Sequence, residues 1–211
     1  LSDKCLRRPA LRSCCMPDAA EFCGKIIWFF FFSMDIVKLQ IQKKGKELLF
    51  LFSKVYSGGL RGIDGYVVQV EADVSNGLPG FYMVGSLASE VKEAEERVRT
   101  AMRNSGYHLS SKKITVNLSP ANVRKEGTAC DLPVAVAVLA AYGIVVQPEL
   151  KHTGFLGELG LDGRIKPVRG VLSMVLAMAE SGIKRCFLAE ENVAEGIAAD
   201  CLDIVRIRSL Q

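Results

Sequence analysis

The chain has 211 residues, of which 49% are hydrophobic and 24% are charged, and its formal net charge is +4. A chain of this length and composition can bury a large core without disulfide or metal support. The mild positive charge is compatible with a polyanionic partner and does not by itself indicate one. Seven cysteines, an odd number with no CxxC pair, favour neither a disulfide framework nor a zinc ribbon.

Residues 1–52 form an atypical N-terminal segment. The stretch 1–33 shows no periodicity, and its apolar run Ile26–Phe32 is far shorter than the roughly 20 residues that a bilayer-spanning helix needs. We therefore expect no membrane partner, and we interpret 1–33 as extraneous or disordered sequence with Met34 as a candidate start. The segment 34–52 is compatible with a strand, a helix or further extraneous sequence.

The regular part of the chain is 53–211, and its first half predicts two strands and a helix. Residues 56–65 are turn-rich, whereas YVVQVEADV (66–74) carries the β-branched residues of a strand. The turn NGLPG leads into FYMVG (81–85), so the pattern predicts a hairpin over 66–84. Residues 87–106 predict an amphipathic helix with one apolar stripe.

The second half predicts an alternation of strands and helices. KKITVNL (112–118) is a predicted strand, and PVAVAVLAAY is a predicted buried helix with Asp131 as N-cap and Pro133 in the first turn. Asp162-Gly163 indicates a hairpin within 153–168. Further elements follow, namely a helix over 170–182, a strand and short helix over 183–199, and a strand over 201–207. The order predicts an α/β fold with a mixed sheet.

The loop between 118 and 131 contains several side chains that could carry chemistry. A phosphate-binding loop requires GxxxxGK[ST], which the sequence lacks. The hydroxyls of Ser119 and Thr128 and the thiol of Cys130 are candidate nucleophiles, with Lys125 as the available base. However, Ser119-Pro120 is typical of a turn, and no group of His, Cys, Asp or Glu has metal-ligand spacing. We therefore assign no catalytic, cofactor-binding or metal-binding residue.

Four ordered motifs make the chain similar to a known family across roughly 53–210. They are YSGGLRGIDGYVVQVEADVSNGLPGFYMVG (56–85), VKEAEERVRTAMRNSGY (91–107), ITVNLSPANVRKEGTACDLPVAVAVL (114–139) and GELGLDGRIKPVRGVL (157–172). Together they resemble the N-terminal domain of the ComM/YifB family, the magnesium-chelatase-like AAA+ ATPases. The resemblance implies a fold like the Lon protease domain and the second domain of a ribosomal small-subunit protein, a mixed β-sheet with helices packed on one side.

The resemblance to Lon bears on the catalytic question. Lon-type domains have a KDGPSAG-like loop whose serine is the nucleophile, and KEGTACD (125–131) places Ala129 at that position. The Lon lysine lies in a PIGGLKEK-like segment, where PVRGVLSM (167–174) has Leu172 and Met174. The resemblance therefore implies that both members of the Ser–Lys dyad are missing, and a shared fold does not imply shared activity.

The chain also departs from the family pattern. VGSLASEVKEA (84–94) lacks the proline and aspartate of the usual turn, and Thr128 replaces a proline. Family members continue into an AAA+ module with a Walker P-loop, whereas this sequence ends at Gln211, which leads us to expect a fragment, a truncated product or a decayed copy. ATP and magnesium are expected only with that missing module, and ring formation only through the full-length protein.

The leading functional hypothesis is a non-catalytic accessory domain of a cytoplasmic ATPase that works on DNA, including branch migration during natural transformation, as the resemblance implies. The alternatives are a residual Lon-like peptidase that uses Thr128, Ser119 or Cys130, and a module that only assembles rings. Basic residues expected in loops near strand ends are the candidate phosphate contacts: Lys112, Lys113, Arg124, Lys125, Arg164, Lys166 and Arg169. Ordinary solubilising charge is the alternative interpretation of each.

Overall fold

The computed structural model describes residues 52–211, so the predictions for 1–33, Met34 and 34–51 lie outside the described residues. A seven-stranded sheet is built from β1 (Phe52–Arg61), β2 (Asp64–Ser75), β3 (Gly80–Val84), β4 (Lys113–Ser119), β5 (Thr153–Leu156), β8 (Arg185–Ala189) and β9 (Asp203–Ile207). Its strand order is β3-β4-β2-β1-β5-β8-β9. Two short strands, β6 (Glu158–Leu159) and β7 (Ile165–Lys166), form a separate antiparallel pair.

Five α-helices and two 3-10 helices complete the described part. The α-helices are α1 (Ser89–Lys92), α2 (Ala94–Asn104), α3 (Asp131–Ala141), α4 (Val171–Glu180) and α5 (Val193–Ile197). The 3-10 helices are Gln147–Leu150 and Glu190–Asn192. The predicted mixed α/β class is confirmed.

Strand direction defines two edges of the sheet. Strand β2 is antiparallel to both β1 and β4, whereas the β1–β5, β3–β4, β5–β8 and β8–β9 pairs are parallel. Six of the seven strands therefore run in one direction. We call the edge at their carboxyl ends the C-terminal edge and the edge at their amino ends the N-terminal edge.

The predicted hairpin over 66–84 is wrong. Strands β2 and β3 do not pair with each other, because β4 lies between them and pairs with both. The hairpin that does form joins β1 to β2 through Gly62 and Ile63, with Gly62 at a φ of 65°. The turn signal in NGLPG was correct, but a turn signal does not specify which strand will be the neighbour.

The sheet carries helices on both faces. In β1, Ser53 and Val55 face α3, and the Ser53 hydroxyl donates to the carbonyl of Ala137 at 2.6 Å. The alternate position Gly58 faces α4, where a Cβ added to the glycine would lie 2.6 Å from Cβ of Met174. Helices α2 and α3 thus form the expected layer on one side, and α4 adds a layer on the other.

The predicted helix patterns agree with the burial. The apolar stripe over 87–106 is confirmed, since Val91, Val98 and Met102 are buried, although the helix is divided into α1 and α2 at Glu93. Every residue of α3 is buried, which confirms the helix that is apolar on all sides. The prediction of Asp131 as its N-cap is wrong, because Cys130 precedes the helix and no side chain caps it.

Candidate functional site

The loop over 120–130 lies at the C-terminal edge and is held by backbone hydrogen bonds on two sides. Lys125 N–H donates to the carbonyl of Ser86 at 2.8 Å, and Ala88 N–H donates to the carbonyl of Lys125 at 3.0 Å. On the other side, Gly157 N–H donates to the carbonyl of Ala129 at 3.3 Å. These bonds fix the position of the loop relative to β3 and β5.

The three residues that the resemblance to Lon places at the Ser–Lys dyad, Ala129, Leu172 and Met174, are apolar. Ala129 packs against a buried cluster that includes Val171 and Met174, and Met174 is only 1% exposed. Leu172 lies on the outer side of α4, where its N–H donates to Oε1 of Glu195 at 3.0 Å. None of these three side chains has a hydroxyl or an amine, which a Ser–Lys pair needs for nucleophilic catalysis.

The remaining candidate nucleophiles have structural partners. The Thr128 hydroxyl donates to Oε2 of Glu158 at 2.7 Å, and the Ser119 hydroxyl accepts from the side-chain amide of Asn117 at 3.2 Å. The Cys130 thiol is buried, and this burial raises its pKa to about 12. At neutral pH the thiol is therefore protonated and is a poor nucleophile.

A partly buried ion pair lies directly behind the loop. Arg97 Nε donates to Oδ2 of Asp131 at 2.7 Å, and a terminal nitrogen of Arg97 donates to Oδ1 at 3.0 Å. Leu159 N–H donates to the same carboxylate at 3.3 Å. Burial raises the pKa of Asp131 against the opposing influence of Arg97, so the pair is held in an environment that penalises charge. No feature of the sequence indicated that Arg97 and Asp131 form an ion pair.

The structure does not bring the seven predicted phosphate contacts together. Lys125 is 1% exposed and donates to the carbonyl of Pro120, so its assignment as a phosphate contact is corrected. Burial also lowers the pKa of Lys125. Residue type suggested exposure, but the loop folds over the side chain and encloses it.

Most of the other candidates at the C-terminal edge have acidic partners. Arg124 lies 3.8 Å from Glu126, Arg164 lies 3.4 Å from Asp162, and Lys166 lies 3.5 Å from Glu158. Arg169 precedes α4 at this edge and has no ion-pair partner within the described chain.

Lys112 and Lys113 lie at the start of β4, at the N-terminal edge, a full strand length away from the loop. Only these two of the seven candidates are at that edge. The prediction that each candidate lies in a loop near a strand end therefore did not indicate which candidates lie at the same edge.

Neither a metal-ligand cluster nor a nucleotide-binding loop occurs among the described residues. No group of three His, Cys, Asp or Glu side chains within 52–211 could hold a metal ion. The sequence also lacks the glycine-rich loop with lysine that surrounds nucleotide phosphates. None of the helices in this part of the chain has the length and apolar composition needed to cross a membrane.

Comparison with known proteins identifies the class. The family model described as subunit ChlI of Mg-chelatase matches residues 70–192. An uncharacterized protein of Mycobacterium tuberculosis is 39% identical over 157 residues, which cover 74% of this chain and 31% of the relative. Protein YifB of Salmonella typhimurium is 42% identical over 141 residues, and competence protein ComM of Haemophilus influenzae is 40% identical over 141 residues. Each of these last two matches covers 67% of this chain and 28% of the relative.

The chain therefore belongs to the ChlI Mg-chelatase-like family, and it is similar to YifB and ComM. It spans about a third of the length of the curated relatives it matches. A weaker likeness joins it to Lon protease of Mycolicibacterium smegmatis, with 26% identity over 158 residues. The predicted family and the predicted similarity to Lon are both confirmed.

Proposed function

We propose that this domain is a non-catalytic accessory part of a Mg-chelatase-like AAA+ ATPase that works on DNA in the cytoplasm. The domain acts by binding and positioning DNA, whereas ATP and magnesium are bound by an AAA+ module of the full-length protein. That protein assembles into a ring, and by analogy with the ComM relative its setting is competence.

The observation that carries the proposal is the apolar character of the positions that a peptidase of this fold would use. Ala129 packs against the cluster that contains Met174, and none of Ala129, Leu172 and Met174 has a group that can attack a carbonyl or accept a proton. The nearby Cys130 thiol is held neutral by burial. Contact with another molecule is then the function that the domain retains.

Two measurements on the purified chain test the proposal. A panel of fluorogenic peptides and casein should show no hydrolysis beyond a buffer control, and the Thr128→Ala and Cys130→Ala variants should be indistinguishable from the parent. Fluorescence anisotropy with single-stranded and branched DNA should show binding that weakens as salt rises, because released counterions favour binding at low salt. Turnover that either substitution abolishes, or an absence of DNA binding at low salt, would contradict it.

A further inference from the structure

Most of the cations at the C-terminal edge, though not Arg169, have acidic partners, whereas the exposed cations at the N-terminal edge do not have them within the described residues. At the C-terminal edge, Arg124, Arg164 and Lys166 each have an acidic partner within 4 Å. At the N-terminal edge, exposed cations begin or precede four strands and, within the described chain, none of them has an ion-pair partner. The lysines among these cations are Lys54 in β1, Lys113 in β4, Lys151 before β5 and Lys184 before β8.

Aromatic rings accompany three of these lysines. Phe52, Lys54, Tyr56 and Lys151 line one open cleft of about 360 Å³. The Lys54 ammonium lies 5.3 Å from the centre of the Tyr56 ring, and on β4 the Lys113 ammonium lies 5.6 Å from the centre of the Tyr82 ring. Phe52 is 53% exposed and Tyr82 is 48% exposed, so part of each aromatic side chain is accessible to a ligand.

The rings at the two ends are joined by one cross-strand row. Phe52 pairs with Asp73, Asp73 pairs with Thr115, and Thr115 pairs with Tyr82. Three strand spacings of about 4.8 Å put Phe52 and Tyr82 roughly 14 Å apart on the same open face of the sheet. Between them, Asp73 and Thr115 offer oxygen atoms that can accept hydrogen bonds from the exocyclic amino groups of bases.

We propose that this surface binds single-stranded nucleic acid. We define the basic–aromatic strip as Phe52, Lys54, Tyr56, Tyr82, Lys113 and Lys151. Bases stack on the exposed rings while the lysines contact the backbone phosphates, which is the combination that single-strand binding requires. The inference rests on the proposed role in DNA work and assigns that role to the N-terminal edge.

Acidic side chains at this edge limit the partner. Asp73 lies within the row, and Asp203 pairs in register with Arg185 at the far end, so the face is not uniformly basic. A duplex or a simple polyanion would be attracted chiefly by net charge, whereas a single strand gains from the rings as well. The strip therefore favours flexible strands with unstacked bases.

The test uses fluorescein-labelled 12-mer single strands and a matched duplex, with anisotropy measured from 50 to 200 mM salt. The triple variant Lys54→Gln/Lys113→Gln/Lys151→Gln should reduce the slope of log K against log salt by about 2, since each phosphate contact to a single strand contributes about 0.7. Tyr82→Ala should weaken single-strand binding at least about fivefold. Circular dichroism melting should show that these exposed substitutions leave the fold intact.

A matched control has the same change in net charge at the other edge, namely Arg124→Gln/Arg164→Gln/Lys166→Gln, and should bind as the parent does. If the parent binds DNA and the two triple variants are equally weakened, the strip is not the site, although the proposed role on DNA stands. Equal competition by polyglutamate, or an unchanged affinity in Tyr82→Ala, would likewise overturn the inference. If the parent binds no DNA even at 50 mM salt, the proposed role itself fails.

Discussion

The ion pair between Arg97 and Asp131 gives the sharpest test of the packing behind the loop. Asp131 is 1% exposed, whereas the Arg97 side chain is 20% exposed. In Arg97→Met the carboxylate loses both guanidinium hydrogen bonds and keeps only the N–H of Leu159. Leaving a buried charge uncompensated costs about 3–5 kcal/mol, and a loss of about 4 kcal/mol lowers Tm by roughly 8–16 °C in a domain of this size.

The converse substitution should cost less. Asp131→Asn keeps an oxygen that can accept from Leu159 and from Arg97, and the partly exposed guanidinium can still be solvated, so we expect about 1–3 kcal/mol. In the double variant Arg97→Met/Asp131→Asn, no charge of the pair remains buried. The double-mutant cycle should therefore show a coupling of about 2 kcal/mol or more, measured by urea denaturation followed by circular dichroism.

The pH dependence supplies a second criterion. Burial already raises the pKa of Asp131, and removal of Arg97 raises it further. For an acid whose pKa is higher in the folded state, the extra stability is present below the unfolded pKa near 3.9 and is lost as pH rises through the folded pKa. Arg97→Met should thus be close in stability to the double variant at pH 4 and clearly less stable than it at pH 7. Additive costs with no change between these pH values would refute the reasoning.

Three further outcomes are expected. Lys125→Met should stabilise the fold at neutral pH by about 1–3 kcal/mol, because it removes a buried ammonium whose hydrogen bond to the carbonyl of Pro120 does not offset the cost of its desolvation. Since burial lowers the folded pKa of Lys125, the parent should recover relative to this variant as pH rises towards the unfolded pKa near 10.4, as alkaline urea titrations would show. Gly65→Ala should cost more than about 2 kcal/mol, because its Cβ would collide with the carbonyl oxygen of Ser173, and an unchanged Tm would contradict that contact. Iodoacetamide at pH 8 should label exposed Cys201 before Cys130 by peptide mass spectrometry, and the reverse order would contradict the burial of Cys130.

The elements that the sequence predicted well are those whose signal is local. The apolar stripe of α2 and the uniformly apolar α3 follow from side-chain periodicity, and both are buried as expected. The Asp162-Gly163 hairpin follows from turn chemistry, and β6 and β7 pair around it. In each case the residues that decide the structure lie within a few positions of one another.

The errors concern partners that are distant in the sequence. The position of β4 between β2 and β3 depends on contacts that no turn signal encodes. Asp131 was predicted to cap a helix because it directly precedes an apolar helical segment. Its ion pair with Arg97 was missed because Arg97 lies 34 residues away in the sequence. One local signal does point to a distant contact: glycine inside a strand often marks a close approach, and Gly58 in β1 lies against Met174.

The candidate site also combines features that local sequence predicts with features that depend on distant contacts. The apolar residues Ala129, Leu172 and Met174 were identified by resemblance. In the structure Ala129 packs against the buried cluster that contains Met174, whereas Leu172 is exposed on α4. The enclosure of Lys125 was not predictable, because lysine is almost always exposed and only the fold of the loop buries it. Nor could the sequence separate Lys113 from Arg124, since strand direction decides which edge each residue occupies.

The central claim is that this domain has no nucleophile and no base at the positions where a peptidase of this fold would have them. Incubation of the native chain with a mechanism-based serine or cysteine peptidase inhibitor, followed by intact-mass and peptide mass spectrometry, tests it most directly. We predict no covalent adduct on any hydroxyl or thiol between Ser119 and Cys130. A stoichiometric adduct there, formed by the folded protein and absent after denaturation, would contradict the account.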